Sequence, residues 1–251
     1  MITLIFSDTH LTRRFEKRRF NYLKKIIVEA DKVIINGDFW DGYFVDFDKF
    51  IKSRWSQLFP ILKARETVYL YGNHDRREWC NEKVFLFSDK QAEMIKIKLA
   101  GKILRIEHGN KIVPDPGDIY PWIIDKRIRR IIAFFILIIG RVLLTHMGKK
   151  YLRKWNRRIK DWWKKQYAKN QILVCGHTHV AEFNLIARYI NVGFIRYNYA
   201  HYLKIVDDKL ELVEERYYRF RLPKLHSTAA LSRFSKRQAT FTGPTPPGTG
   251  V

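Results

Sequence analysis

Residues 175–180 read Cys-Gly-His-Thr-His-Val and come directly after the apolar residues 172–174. The apolar run predicts a buried strand, and Gly176 indicates that this strand has ended before His177 and His179. On a turn the two imidazoles can point apart and serve one metal ion or two, because neutral imidazole is a common ligand of zinc, manganese and iron. The alternative is a surface loop whose histidines bind nothing. This stretch alone leaves both interpretations open.

The composition is that of a folded domain. The 251 residues are enough to bury a substantial core, and a hydrophobic content of 46% with 15% aromatic residues argues against a disordered chain. Cys80 and Cys175 lie far apart in the sequence without CxxC spacing, which indicates neither a disulfide framework nor a cysteine zinc site and favours a reducing compartment. Residues 1–6 are typical of a first strand rather than of a signal peptide. We therefore expect a cytoplasmic protein.

The formal charge of +23 predicts an anionic partner: nucleic acid, phospholipid headgroups or a phosphorylated substrate. Residues 120–170 hold fifteen Lys and Arg against two Asp, more than half of the net charge. A second basic cluster lies at 12–25, with seven basic residues and one Glu. The charge alone does not indicate which of these three kinds of partner the protein binds.

Short apolar runs alternate with helical patterns along the chain. Helical spacing of apolar residues at 15–30 and 47–62 separates the first three strand candidates, which indicates an α/β fold. In such folds functional groups gather beyond the carboxyl ends of the strands. The strand candidates are 2–6, 32–35, 67–71, 95–107, 171–175, 187–192 and 201–218.

Five successive strand ends carry carboxylate, amide or imidazole groups. Asp, Asn and Gly are ordinary turn residues, so each loop alone is weak evidence, but five in order are hard to ascribe to turns. This mixture of ligands suits two divalent ions about 3.5–4 Å apart, which clamp a phosphate and make hydroxide available at neutral pH. The five loops are Ser7-Asp8-Thr9-His10, Asn36-Gly37-Asp38-Phe39-Trp40-Asp41, Gly72-Asn73-His74-Asp75, His108-Gly109-Asn110 and Gly176-His177-Thr178-His179.

In these loops the chain resembles the calcineurin-like metallophosphoesterases, whose motifs run D-x-H, GD-x-x-D, GNH-D, a later His with Gly, and GH-x-H. The match spans about 2–218. The resemblance implies a four-layer α/β/β/α sandwich over 1–226, with a helical cap inserted at 118–170. Residues 227–251 are rich in Ser, Thr, Pro and Gly and predict a disordered tail.

The resemblance also implies a role for each motif residue. It places the first metal ion on Asp8, His10, Asp38 and His179, and the second on Asn73, His108, His177 and the bridging Asp38. His74 would contact the phosphate and protonate the leaving oxygen, Asp75 would orient His74, and Asp41 would support the site without binding metal. Mn²⁺ is the expected ion, with Fe and Zn as alternatives. His146, His201 and His226 match no motif and are expected to serve packing.

The insertion predicts a cap that is both basic and apolar. Its run at 131–139 is too short to span a bilayer, which takes about 20 residues. A basic amphipathic helix follows, with Trp155, Trp162 and Trp163 on its apolar side and cations that include Arg157 and Arg158. The helix can lie in an anionic membrane interface, pack on the sandwich, or line a nucleic-acid groove. The apolar run favours a lipid-facing cap over a nucleic-acid groove.

The insertion is similar to that of the UDP-2,3-diacylglucosamine hydrolases, a branch of this family. The chain departs from that branch at His74, where many members have Arg, and at Asn110, where Asp is usual. We expect a metal-dependent hydrolase of a phosphoester or pyrophosphate, acting on a membrane-associated or nucleotide-linked substrate at the inner face of the membrane. The alternatives are a nuclease or nucleotide phosphodiesterase, and a protein-binding scaffold without catalysis.

Overall fold

The computed structural model describes residues 1–115, 148–166, 170–218 and 237–240, with the backbone alone at 148–151 and 237–240. The apolar run at 131–139, His146, His226 and most of the expected tail lie outside the described residues. Within the described parts, no helix combines the length and the apolar character needed to cross a membrane.

Two β-sheets form the centre of the fold. Their strands, in chain order, are β1 (Ile2–Phe6), β2 (Lys32–Asn36), β3 (Val68–Leu70), β4 (Lys90–Ala92), β5 (Met94–Leu99), β6 (Lys102–Glu107), β7 (Gln171–Cys175), β8 (Glu182–Asn184), β9 (Tyr189–Asn191), β10 (Ile195–Arg196), β11 (Tyr199–Val206), β12 (Lys209–Glu215) and β13 (Arg237–Thr240). The first sheet has the order β13-β12-β11-β1-β2-β3-β4, and β10 pairs with β11. The second has the order β5-β6-β7-β9-β8.

The first sheet has a parallel half and an antiparallel half, and the second has a parallel centre with antiparallel edge strands. Strands β1 to β4 run parallel, as do β6, β7 and β9. The antiparallel pairs are β1 with β11, β10 with β11, β11 with β12, β12 with β13, β5 with β6, and β8 with β9. The carboxyl ends of the parallel strands therefore meet at one edge of each sheet, and the predicted site loops follow these ends.

Helices cover the outer faces of the sheets. The described helices are α1 (Lys17–Val28), α2 (Phe47–Ile51), α3 (Phe59–Lys63) and α4 (Gly148–Lys165). Short 3₁₀ turns lie at Arg54–Leu58, Arg77–Trp79 and Glu82–Leu86. Helix α1 buries Phe20, Leu23, Ile26 and Ile27, which recur every three to four residues and form its apolar face.

Alternation along the strands divides the buried residues into three clusters. On β1, Leu4 and Phe6 pack in the cluster beneath α1 to α3, whereas Ile5 points the other way, between the sheets. On β7, Ile172 lies between the sheets, and Leu173 packs in the cluster that contains Ile159 and Trp163 of α4. The order of layers is therefore helices, sheet, sheet, helix, which confirms the predicted α/β/β/α sandwich.

Two long strand candidates prove to be hairpins. The run at 95–107 divides into β5 and β6 at Ala100 and Gly101, whose φ angles are 44° and 75°. The run at 201–218 divides at Asp207 and Asp208, with φ angles of 45° and 64°. Both φ angles are positive in each two-residue connection, as type I′ hairpin turns require. The turn residues thus decide what the apolar pattern alone did not.

Candidate metal centre

The site lies in the loops that follow β1, β2, β3, β6 and β7. Five of the predicted ligands adopt left-handed backbone conformations, which are uncommon for residues other than glycine. Such conformations cost about 1–3 kcal/mol each and are typical of functional sites, where the surrounding structure enforces them. These residues are Asp8 (φ 53°), His10 (φ 43°), Asp38 (φ 53°), His177 (φ 65°) and His179 (φ 58°).

Two glycines allow the loops to approach each other closely. A Cβ atom on Gly72 would collide with the carboxylate of Asp38, and one on Gly176 would collide with the side chains of Ser7 and Asp8. Any side chain at either position would therefore push a carboxylate out of the centre. Gly72 and Gly176 are therefore required by this packing.

The first group of converging atoms consists of one carboxylate and two imidazoles. Asp8 Oδ1 lies 3.0 Å from His179 Nε2 and 3.7 Å from His10 Nε2. The two Nε2 atoms are 3.0 Å apart. All three ligand atoms lie within 4.8 Å of one another. The structure thus brings together three of the residues that the first motif and the last motif supply.

The second group adds an amide oxygen. His108 Nε2 lies 3.2 Å from Asp38 Oδ2 and 3.2 Å from Asn73 Oδ1. His177 Nδ1 lies 3.0 Å from the same Asn73 oxygen. These four residues are the ones that the resemblance assigned to the second ion.

Asp38 joins the two groups. Its Oδ2 atom is 3.2 Å from His108 Nε2 on one side and 3.6 Å from His10 Nε2 on the other. The second carboxylate oxygen, Oδ1, accepts a hydrogen bond of 2.9 Å from the backbone N–H of His74, which fixes the orientation of the group. Asp38 therefore contacts an imidazole of each group.

The donor set fits divalent cations. Two imidazole nitrogens that face each other at 3.0 Å either share one proton in an N–H···N hydrogen bond or both present lone pairs to a cation between them. Metal–nitrogen bonds of about 2.0–2.1 Å bring neighbouring ligand atoms to roughly 3.0–3.4 Å, which matches these separations. Asp8 Oδ1 is buried and makes no hydrogen bond with the described residues. A metal ion would satisfy that oxygen.

Backbone carbonyls set the ring nitrogen that each buried histidine presents. His108 Nδ1 lies 2.8 Å from the carbonyl oxygen of Asn36, and His177 Nε2 lies 2.7 Å from that of Val113. Each of these nitrogens is therefore a donor, and the opposite nitrogen of the neutral His177 ring keeps its lone pair for a metal. Burial lowers the pKa of His108, but Asp38 and Asp8 outweigh it and raise the pKa to about 10, so a metal ion would displace the proton from His108 Nε2. The role of Val113 could not be recognised in the sequence, because the backbone carbonyl of any residue can accept this hydrogen bond.

Burial keeps two of these imidazoles neutral. Burial and the neighbouring His108 lower the pKa of His177 to about 4. Burial also lowers the pKa of His179, although Asp8 opposes the shift. Neutral imidazole is the form that binds a metal ion, so both rings are ready to act as ligands at pH 7.

His74 stands beside the centre and is held by Asp41. Its Nδ1 atom lies 3.1 Å from Asp41 Oδ1, and its side chain is 21% exposed. Burial alone would lower the pKa of His74, but Asp41 and Asp38 more than offset this and raise it to about 9. The ring is therefore cationic at neutral pH and can give up a proton.

Asp75 lies beneath the loops rather than against His74. Its carboxylate accepts hydrogen bonds of 2.7 Å from the backbone N–H of Gly72, 3.0 Å from that of Asp38 and 2.7 Å from that of Phe39. These bonds hold the second and third loops together. Among the described contacts Asp41 orients His74, and an orienting role for Asp75 stays a prediction.

Asp115 is a further residue of the site that the motifs do not include. Its Oδ2 atom accepts a hydrogen bond of 2.6 Å from Asn73 Nδ2. Because the nitrogen of the amide is engaged there, Asn73 presents its oxygen to His108 and His177. Asp115 lies in the irregular stretch after β6, where only the fold shows its proximity to Asn73.

Helix α4 packs on the second sheet. Trp163 is 1% exposed in the cluster with Leu173, so its ring is not available to lipid or substrate, and packing on the sandwich is its role. Trp155 and Trp162 are partly buried against this cluster, and Arg157 and Arg158 are exposed. Of the predicted cap residues, these four remain able to contact a ligand.

Buried Asn156 connects α4 to the last motif. Its Nδ2 atom donates to the carbonyl of Val180 at 3.0 Å and to Glu182 at 2.9 Å. Its Oδ1 atom accepts from the hydroxyls of Thr178 at 2.6 Å and Tyr189 at 3.0 Å. Thr178 stands between His177 and His179, so the helix supports the loop that carries both.

A two-sheet α/β sandwich with imidazole, carboxylate and amide groups at its strand ends has the architecture of a metal-dependent phosphoesterase. The chain matches the model of the calcineurin-like phosphoesterases over residues 1–210 and belongs to that family, as the motifs predicted. No curated protein matches the chain by sequence.

Solved structures of similar fold share little sequence with this chain. Wild-type Vps29 complexed with Zn²⁺ from Entamoeba histolytica has a TM-score of 0.44 and 15% identity, covering 85% of this chain and 91% of its own. YfcE, a phosphoesterase from E. coli, has a TM-score of 0.44 and 16% identity, with 85% and 92% covered. A predicted phosphoesterase from Streptococcus pneumoniae TIGR4 has a TM-score of 0.41 and 14% identity, with 86% and 89% covered. These similarities concern the fold alone.

Proposed function

We propose that the protein is a dinuclear metal-dependent hydrolase of phosphoester or pyrophosphate bonds, with Mn²⁺ as the activating ion. The observation that carries this proposal is the position of Asp38 Oδ2, 3.6 Å from His10 Nε2 and 3.2 Å from His108 Nε2. A carboxylate between two sets of imidazoles is what a bridged pair of ions needs. Fe and Zn suit the same donors.

The residues around the centre would have different roles in hydrolysis. Two divalent ions bound there would hold the phosphoryl oxygens and lower the pKa of a water molecule for in-line attack. Asp8 and Asp38 balance the cationic charge, and His108 and His177 are held in one tautomer by backbone carbonyls. His74, cationic and oriented by Asp41, donates a proton to the leaving oxygen.

For the natural substrate we propose a nucleotide-linked or lipid-linked phosphate at the inner face of the membrane, such as a UDP-diacylglucosamine-like lipid. The net charge of +23 and the exposed Arg157 and Arg158 on α4 support an anionic surface as the partner. Nucleic acid is the second choice, because the same charge would attract it. Liposome flotation of the full chain, with a short oligonucleotide as competitor, separates these partners.

The first test is hydrolysis of p-nitrophenyl phosphate, bis-p-nitrophenyl phosphate and a UDP-linked lipid, side by side with Mn²⁺ and with EDTA. We expect activity with Mn²⁺ that EDTA abolishes. The variant His74→Ala should lower turnover by about 10²–10⁴-fold and leave the bound metal unchanged, because His74 transfers a proton and binds no ion. Absence of hydrolysis with Mn²⁺, Fe²⁺ and Zn²⁺ would favour the non-catalytic scaffold, and loss of metal from His74→Ala would show that its role is misassigned.

A further inference from the structure

A cavity of about 500 Å³ lies beside the metal centre and shares His10 with it. It is lined by four arginines and a single carboxylate. The arginines are Arg13, Arg14, Arg19 and Arg196, and the carboxylate is Glu16. None of these five residues belongs to a motif of the metal centre. The size is that of a small-molecule site rather than of a nucleic-acid groove.

Arg19 is the cavity residue whose hydrogen-bond donors most clearly lack an acceptor. It is 2% exposed, and its Nη1 atom lies 3.5 Å from Glu16 Oε1. Its Nε and Nη2 atoms are buried and have no hydrogen-bond partner among the described residues. Burial lowers the pKa of Arg19 to about 10 and Arg196 adds to the effect, although Glu16 opposes it. The group is still charged at pH 7, and a buried charge with unpaired donors is costly unless an anion meets it.

Arg196 reaches the cavity from the other end of the chain. It is the last residue of β10 and is followed by a two-residue turn at Tyr197 and Asn198, with φ angles of 54° and 69°. Asn198 holds this turn in place: its backbone N–H donates to the Tyr217 hydroxyl at 2.8 Å. The backbone position of Arg196 is therefore set by the fold.

Arg13 and Arg14 follow His10 closely in the chain, after the first site loop. The backbone carbonyl of Arg14 accepts a hydrogen bond of 3.3 Å from the indole of Trp55, which is fully buried. The chain thus continues from the metal centre into the cavity wall. A substrate whose phosphoryl group lies at the centre can extend past His10 towards the arginines.

We propose that this cavity binds a second phosphate group of the substrate, one that is not cleaved, and that the enzyme prefers small molecules with two phosphates over simple monoesters. Guanidinium groups suit this role because their forked donors match phosphate oxygens. The inference rests on the proposed function, because the bound phosphate belongs to a substrate only if the protein is a phosphoesterase. The anion site itself does not depend on catalysis.

The test has two arms, and its variants are Arg196→Gln and the matched control Lys98→Gln. Lys98 is exposed on β5 in the other sheet, so its replacement removes the same charge away from the cavity. In the first arm, calorimetry measures the binding of methylenediphosphonate and of inorganic phosphate to the EDTA-treated full chain. We expect both anions to bind. Arg196→Gln should lower the affinity for each about tenfold, which corresponds to the loss of one charge-assisted hydrogen bond, and Lys98→Gln should leave it unchanged.

In the second arm, the Mn²⁺-loaded chain is assayed on ADP and on p-nitrophenyl phosphate. Arg196→Gln should lower kcat/KM for ADP about tenfold and leave that for p-nitrophenyl phosphate within about twofold. Arg19→Lys should act in the same direction as Arg196→Gln, and if it fails to fold, the Arg196 variant carries the test alone.

The outcomes separate the two proposals. No anion binding in the first arm, or equal weakening in the Lys98 control, overturns the cavity site whatever the catalytic result. Binding in the first arm without hydrolysis in the second supports the anion site and refutes the preference for substrates with two phosphates. Binding of an oligonucleotide much more tightly than either small anion, with the same dependence on Arg196, would replace the small-molecule proposal.

Discussion

Removal of the Asn156 side chain should destabilise the protein and loosen the loop of the last motif. Asn156 is 0% exposed, and its amide accounts for hydrogen bonds to Thr178, Val180, Glu182 and Tyr189. Glu182 keeps another bond, from Lys160, and the Tyr189 hydroxyl keeps its bond from Asn191. The hydroxyl protons of Thr178 and Tyr189 and the Val180 carbonyl lose their partners among the described residues.

The expected cost follows from these three groups. Each buried polar group left without a partner costs about 1–3 kcal/mol, so Asn156→Ala and Asn156→Leu should each lower the free energy of unfolding by at least about 3 kcal/mol. The leucine variant preserves volume, which separates lost hydrogen bonding from a cavity. Because Thr178 lies between His177 and His179, affinity for Mn²⁺ should fall as well.

Urea unfolding at equilibrium, with and without Mn²⁺, measures both effects. Arg157→Ala is the matched control, because Arg157 is the next residue of the helix and is exposed. Its free energy of unfolding should change by no more than about 0.5 kcal/mol. An Asn156→Leu protein as stable as the wild type would refute the reasoning, since it would show that the buried network contributes nothing net.

Three further variants test the centre and the helix. Asp38→Asn should reduce the bound metal measured by elemental analysis and abolish the rise in Tm that Mn²⁺ gives the wild type, because the bridge loses its charge; unchanged metal content would contradict the bridging role. Asp41→Asn should lower turnover about tenfold or more with metal content retained, because His74 loses the carboxylate that orients it; normal turnover would show that Asp41 is dispensable. Trp163→Ala should cost about 3–5 kcal/mol in urea unfolding, against less for the partly buried Trp155→Ala, and equal costs would contradict the different burial of the two rings.

The strand pattern and the loop motifs can be recognised in the sequence for a local reason. Side chains alternate across a strand, so apolar runs such as 2–6 and 171–175 predict buried strands, and the polar residues after them mark the strand ends. Parallel strand ends meet at one edge of a sheet, so the pattern also predicts that Asp8 and Asn73 lie close together. His177 follows a strand of the second sheet, and only the packing of the two sheets brings it to them. The positions of the hairpin turns could not be predicted in this way, because a continuous apolar pattern does not show where the backbone reverses.

The amino-acid sequence by itself determined the kinds of ligand, their order and the family. The tertiary structure alone decided which partner orients each ligand: Asp41 holds His74, and Asp115 holds the amide of Asn73. It also placed Arg19 and Arg196 at one cavity although 176 other residues separate them in the chain. The physical reason is that local sequence fixes the period of side chains along an element, whereas contacts between elements depend on how the layers pack.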